Sequence, residues 1–341
     1  MKKRCLAMIM AFCVALSLVP ATALATGGDG NEEGTPSAGS GSTIYVDVKN
    51  GNDTQDGVGT AADKAYKTLE TAVTAAASGD TIQLGEGKYT LYKKGAKTTG
   101  KNLTFVGQGA DKTEWGIGAT IPDPDKFGTE YNGDYSFDGA GTITFKDMTL
   151  QSGKVDYLGF IRSTNTVVED CTINGKTFYW GYTSAEFINT TFNCPSGDYA
   201  LWTYSSPTMT FDKCTFNANS LGKVINVYTD AGAGSHNITV NFKDCTVNNP
   251  GPFSLSKQVL NVNDSNMGGY KYILNISGNN TVSGVPYDKT TCSRLYGFGG
   301  KAKNNTGRLD VNIDGTLVWQ GVKQGDRSEE RRVGKECRSR W

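Results

Sequence analysis

The sequence predicts an all-β solenoid, a stack of short strands entered through one short helix. Two observations carry this. The first is a unit that recurs as "ITFKDMTL", "TVVEDCTI", "AEFINTTF", "MTFDKCTF" and "VNFKDCTV". Each holds an apolar anchor, three residues, a threonine and a second apolar residue. The anchors Phe145, Val168, Phe187, Phe211 and Phe242 are 23, 19, 24 and 31 residues apart, with looser copies around Phe105 and at "LNISGNNTV" and "VNIDGTLV". A unit this short cannot bury its apolar face alone, so the units must stack. The second observation is what the units contain. They are β-branched and aromatic runs broken by turn residues, without helical periodicity, which makes the stacked element a strand.

The chain opens with "MKKRC", then an apolar run ending at Pro20, then "ALA" at Ala23–Ala25. A positive start, a short apolar stretch and a small-x-small site read as a signal peptide over residues 1–25. Residues 26–42, rich in Gly and Ser, read as a flexible spacer. Order is expected from "TIYVDV". Asp63 is placed to cap a helix over Lys64–Ser78, where Tyr66, Leu69, Val73 and Ala76 recur at helical spacing. Gly79 is expected to stop that helix, and "DTIQL" to open a strand. The solenoid domain then runs over residues 43–326, with roughly eight coils. The last stretch, "RSEERRVGKECRSRW" (Arg327–Trp341), holds five of the nine arginines of the chain. It resembles translated read-through of a sequencing adapter, which implies a non-native tail and an authentic C-terminus lost near Asp326.

Without these two ends the charge changes. Residues 26–326 carry 25 Lys and Arg against 31 Asp and Glu, a balance of about −6. A mildly acidic surface with dispersed lysines argues against nucleic acid, which requires clustered positive charge. No stretch beyond the signal is long and apolar enough to predict a membrane span.

Five cysteines belong to the domain: Cys171, Cys194, Cys214, Cys245 and Cys292. An odd number at irregular spacing is neither a disulfide framework nor a zinc pattern. Cys171, Cys214 and Cys245 each lie three residues after an anchor, where Met148 and Thr190 lie in other units. They are expected to form a column of small buried side chains. Stacked strands are ~4.8 Å apart, inside the ~4.4–6.8 Å range of a disulfide, so Cys214–Cys245 is the one pair a bridge could join. Redox catalysis is not expected.

The segment from Tyr45 to Tyr89 and the "F-x-D-C-T-F" coils resemble secreted right-handed parallel β-helix proteins, the pectin lyase-like superfamily, across residues 43–321. The resemblance implies a right-handed parallel β-helix with an N-terminal capping helix. It implies no single activity, since that superfamily includes lyases, hydrolases, esterases, adhesins and tailspikes. The N-T-D, D-D, G-H-G and R-I-K signatures of polygalacturonase-like members are not found, nor are those of pectin methylesterase-like ones. The one histidine, His236, stands in a turn context. A calcium-dependent lyase needs carboxylates converging on the metal and a cationic base, and the residues available for that are Arg162, Asp156 and Asp198. General base work by an arginine requires a strongly perturbed site. Ca2+ is implied only under this lyase reading; otherwise no cofactor and no metal site is expected. "NGNDTQDG" (Asn50–Gly57) looks superficially like a calcium loop but lacks the spacing and the bidentate Glu, and reads as a turn.

A second column follows from aligning "LGFIRS", "FYWGYT", "ALWTYS", "VINVYT" and "VLNVND". One alternating set, Gly159/Tyr179/Leu201/Ile225/Leu260 with Ile161/Gly181/Thr203/Val227/Val262, is mostly apolar and is assigned to the core. The other, Phe160/Trp180/Trp202/Asn226/Asn261 with Arg162/Tyr182/Tyr204/Tyr228/Asn263, is assigned to the outside. Trp180, Tyr182, Trp202, Tyr204 and Tyr228 would then form an aromatic strip on which sugar rings could stack. The competing assignment is a loop packed over these rings, since contiguous exposed aromatics are a solubility liability. The expected function is an exported bacterial surface or secreted module that binds a polysaccharide or cell-surface glycan without catalysis. The alternatives are a polysaccharide lyase-like enzyme acting on an acidic polymer, and a structural stalk of a larger surface protein.

Overall fold

A computed structural model of the chain describes residues 41–54, 59–89, 98–116, 137, 139–151, 157–161, 163–194, 201–202, 208–219, 225–227, 237–249, 260–263, 271–283, 285–286, 296–299 and 308–322. These residues are all-β apart from one α-helix and one 3-10 turn. The strands form three mainly parallel sheets, and the chain visits the sheets in turn. This arrangement is compatible with a solenoid.

The first sheet holds Thr43–Val46, Thr81–Leu84, Leu103–Val106, Thr142–Lys146, Asn165–Glu169, Ser184–Ile188, Thr208–Asp212, Ile238–Lys243, Lys271–Ser277 and Arg308–Ile313, all parallel, closed by antiparallel Thr316–Val322. Its register is the one the repeat demands. Phe105, Phe145, Val168, Phe187, Phe211, Phe242, Ile276 and Ile313 are paired strand to strand in one column, and all are buried. Alternation alone explains this, because inward and outward side chains alternate along a strand. The column is a stack of rings where the anchors are aromatic. Phe211 and Phe242 lie 5.2 Å apart, and Phe105 and Phe145 5.7 Å, both pairs in stacked geometry. Trp115 meets Phe105 and Phe145 edge-on at 4.7 and 5.0 Å.

The second sheet holds Gly87–Tyr89, Thr113–Gly116, Thr149–Gln151, Thr172–Asn174, Thr191–Asn193, Thr215–Asn217, Thr246–Asn248 and Thr281–Val282, with antiparallel Val285–Pro286 at its end. The repeat's threonines Thr149, Thr172, Thr191, Thr215, Thr246 and Thr281 pair in register. The apolar residue after each, from Leu150 through Ile173, Phe192, Phe216 and Val247 to Val282, is buried. Between the first and second sheets the chain turns through a left-handed residue in every one of these coils: Asp147, Asp170, Asn189, Lys213, Asp244 and Gly278. A positive φ is costly for most side chains and tolerated by Asn, Asp and Gly, which explains five of the six. Lys213 has no such reason.

The cysteine column lies directly behind that corner. Its members Cys171, Cys214 and Cys245 are buried free thiols, as is Cys194, which lies outside the column just after the strand Thr191–Asn193. Cys214 Sγ donates to Phe187 O at 3.3 Å and Cys245 Sγ to Phe211 O at 3.3 Å, each reaching the anchor of the preceding coil. Thr190 Oγ1 does the same to Val168 O at 3.2 Å. Thiol and hydroxyl are interchangeable here because both are small donors that satisfy one carbonyl. Cys292 lies outside the described residues.

The helix begins later than its apolar spacing suggests. It spans Leu69–Ala75, its N-cap is Thr68, and Ala62–Lys64 is a separate 3-10 turn. Strand-like pairing overrides helical spacing between them: Tyr66 N donates to Tyr45 O and Asp47 N to Tyr66 O, both 2.8 Å. Asp53 holds the entry, its carboxylate accepting from Lys67 N, Thr68 N and Thr68 Oγ1. Leu69, Ala72, Val73 and Ala76 are buried against the first coil, and "DTIQL" yields the strand Thr81–Leu84 as expected.

"LDVNIDGTLVW", a single strand by its sequence pattern, is instead a hairpin. Asp314 and Gly315 have φ of 47° and 76°, and Thr316–Val322 folds back on Arg308–Ile313. Asp-Gly is a favoured dipeptide for a two-residue turn in which both φ values are positive. The free edge of Arg308–Ile313 is therefore covered by the chain itself.

Candidate functional site

The third sheet carries the candidate site. It consists of Tyr157–Ile161, Lys176–Trp180, Leu201–Trp202, Ile225–Val227, Leu260–Asn263 and Tyr296–Gly299, all parallel. Leu201, Ile225 and Leu260 share one register column, and Ile225 is buried, as the sequence alignment expects for its apolar set. Trp202, Asn226 and Asn261 share the next column.

Towards the N-terminus the alignment needs correction. Trp202 pairs with Phe178, and Phe178 with Phe160. Trp180 pairs with Ile161, so it does not stand in the Trp202 column. The offset of two residues lies in the regular pairing of Thr177 with Leu201 and Phe178 with Trp202; the register shifts on either side of Phe178 affect only its pairing with Tyr157–Ile161. Aligning "FYWGYT" with "ALWTYS" by its tryptophan misses it, because a slip of two residues keeps every side chain on the same face and leaves the alternation unchanged. The aromatic column over successive coils is thus Phe160, Phe178 and Trp202.

Tyr182 is also displaced from its expected strand position. It sits in the turn between Lys176–Trp180 and Ser184–Ile188, its N–H donating to Ser163 O at 2.8 Å. Gly181 before it has φ of 75°, and a Cβ there would lie 2.3 Å from Ser184 O. Only glycine fits, and the bend presents Tyr182 outward with 48% of its surface exposed. Tyr204, Tyr228, Arg162, Asp156, Asp198 and His236 lie outside the described residues, so the lyase constellation has no geometry here. Side chains in and just before the "NGND" stretch bind backbone: Asp47 accepts from Lys49 N and Asn50 N, and Asn52 accepts from Thr54 N. Among the described residues no cluster of three or more His, Cys, Asp or Glu is arranged to hold a metal ion.

The structure adds a polar feature that alignment by anchors passes over. Asn174, Asn193, Asn217 and Asn248 end four successive strands of the second sheet. Their carboxamides form a chain: Asn193 Nδ2 donates to Asn174 Oδ1 (2.8 Å), Asn217 Nδ2 to Asn193 Oδ1 (2.8 Å), and Asn248 Nδ2 to Asn217 Oδ1 (3.0 Å). Asn174 Nδ2 continues it to Gln151 Oε1 at 2.9 Å. A shorter row on the first sheet links Asn312 to Asn275 and Asn275 to Asn241. The signal was present in the sequence as "TIN", "TFN", "TFN" and "TVN", one asparagine two residues after each repeat threonine. Neither a protein-family model nor a curated protein sequence matches the chain.

Proposed function

We propose that this chain is an exported, non-catalytic surface module that binds a glycan, folded as a right-handed parallel β-helix of the pectin lyase-like kind. The observation that carries the reading is the third-sheet register, which aligns Phe160, Phe178 and Trp202 on three successive coils, with exposed Tyr182 in the adjoining turn. Coils are spaced by ~4.8 Å, close to the length of one sugar unit, so an extended glycan could lie along the stack with its rings over successive aromatics. The signal-like start and the acidic, lysine-dispersed surface support export and a partner other than nucleic acid. Trp180, Tyr204 and Tyr228 remain proposed contributors, and no cofactor is needed.

A glycan array with the full chain tests this, followed by titration of the best ligand. Burying an aromatic face contributes about 1–3 kcal/mol, and each 1.4 kcal/mol is tenfold in affinity. Trp202→Ala is therefore expected to weaken binding about tenfold with little change in thermal midpoint. An array without hits, or a Trp202→Ala protein that unfolds because the ring belongs to the core, overturns the proposal. Unsaturated sugar ends released from an acidic polysaccharide, and lost in Arg162→Ala, would replace it with the lyase reading.

A further inference from the structure

We propose a second carbohydrate site, independent of the third-sheet aromatics, in the cleft that the asparagines line on the second sheet, selective for neutral glycan chains. The cleft measures about 370 Å³ and is lined by Asn193, Cys194, Asn217, Asn219, Asn248 and Asn249. Of its six described lining residues five are asparagines, four of them exposed and Asn217 half-buried.

The ladder fixes how these amides face a ligand. A carboxamide has two N–H donors and two carbonyl lone pairs. Asn193 and Asn217 each spend one donor on the preceding coil and one acceptor on the following coil. Each is thereby locked in one orientation and keeps one donor and one acceptor over. Such a rung matches a pair of hydroxyls, which can donate to the carbonyl and accept from the N–H. Because the neighbouring rungs already hold the amides in place, little side-chain entropy is lost on binding. Asn219 and Asn249 extend the polar lining at the strand ends, both with φ of 47°.

Chemistry and spacing narrow the ligand. None of the described lining residues carries charge, so an acidic sugar would lay its carboxylate beside their carbonyl oxygens with no cation among them to offset it. A divalent cation would likewise meet only neutral oxygens, whereas such ions take carboxylates. An extended peptide repeats its outward groups every two residues, about 6.8 Å, out of step with coils ~4.8 Å apart. A neutral polyhydroxylated chain repeats near the coil spacing and presents both donors and acceptors.

The test uses the full chain and titrates cellohexaose, mannohexaose, a galacturonate hexamer and a polar hexapeptide against wild type, Asn219→Gly/Asn249→Gly and Trp202→Ala. Glycine accepts the left-handed φ at both sites, so the double variant loses two carboxamides without touching the ladder, and its thermal midpoint checks the fold. Expected is binding of a neutral hexasaccharide in preference to galacturonate, at least fivefold weaker in the glycine variant. If that loss occurs while Trp202→Ala retains binding, the cleft stands; the aromatic reading falls only if Trp202→Ala weakens none of the ligands. If both variants weaken the same hexamer, the two surfaces act as one site and the independent cleft is overturned; if each weakens a different ligand, both proposals stand. Loss in Trp202→Ala alone, preference for galacturonate or the peptide, or no binding by either neutral hexamer overturns the cleft.

Discussion

Phe187 and Phe211 stack with ring centroids 5.0 Å apart and planes within 6° of parallel. They are register partners on adjacent first-sheet strands, and Phe192 and Phe216 repeat the arrangement at 4.6 Å on the second sheet. Phe211 touches both columns, lying 5.5 Å from Phe216. Phe211→Ala removes a buried ring from the middle of two stacks. It is expected to cost about 3–5 kcal/mol, read as a shift in the urea midpoint. A cost below about 1 kcal/mol would show that the stacks are not packed as described.

Lys213 is the one long side chain at a corner otherwise held by Asp, Asn and Gly. Its φ is 55° and it is exposed. Lys213→Asn is expected to stabilise the protein by about 0.5–1 kcal/mol, by relieving left-handed strain that asparagine tolerates better. The neighbouring corner shows that an amide fits, since Asn189 Nδ2 donates to Asp170 Oδ1 at 2.6 Å. A lower thermal midpoint in this variant would refute the strain argument.

The buried thiols make stability fall in alkali. Burial raises the Cys171 and Cys194 thiols from 9.0 to about 12, and the Tyr89 hydroxyl from 10.0 to about 12. In the unfolded chain these groups ionise at their ordinary values while the folded protein still holds the protons. The folded state therefore binds more protons, and unfolding free energy declines as pH rises. The effect is complete below pH 9 and is lost progressively towards pH 12. Urea titrations at pH 7, 9 and 10.5 should show it, with a smaller decline in Cys171→Ser/Cys194→Ser. Thiol reagents at pH 8 should label these positions only after denaturant is added, since the protonated buried form is inert.

Gly315 completes the terminal hairpin with φ of 76°, and a Cβ built there meets no atom within 4 Å. Gly315→Val therefore tests conformation without steric crowding. It is expected to cost about 1–2 kcal/mol, through loosening of Thr316–Val322 from Arg308–Ile313. Hydrogen exchange should show the loss of protection concentrated in that hairpin. Uniform loss across all three sheets would instead make the hairpin part of the main cooperative unit.

What the sequence determined by itself is the first two sheets. The interval from anchor to threonine is four residues in each of the five units from Phe145 to Phe242, because one strand, one left-handed corner and the next strand follow without insertion; the unit of Ile276 and Thr281 admits one residue more. Phe145, Phe187, Phe211 and Phe242 could therefore be placed in one buried column, and Thr149, Thr172, Thr191, Thr215 and Thr246 in another, from spacing alone. The third sheet had no such ruler. All variation in repeat length, from 19 to 31 residues, falls between the second sheet and the next anchor, so each third-sheet strand finds its register independently. Only tertiary pairing could show that Trp202 stands beside Phe178 and not Trp180. The same holds for the asparagines: "T-x-N" was legible, but a pattern of residues does not say which amides face one another. Their joining into an ordered ladder beside the cleft depended on the parallel pairing of successive second-sheet strands, which brings residues about twenty to thirty positions apart within hydrogen-bond distance.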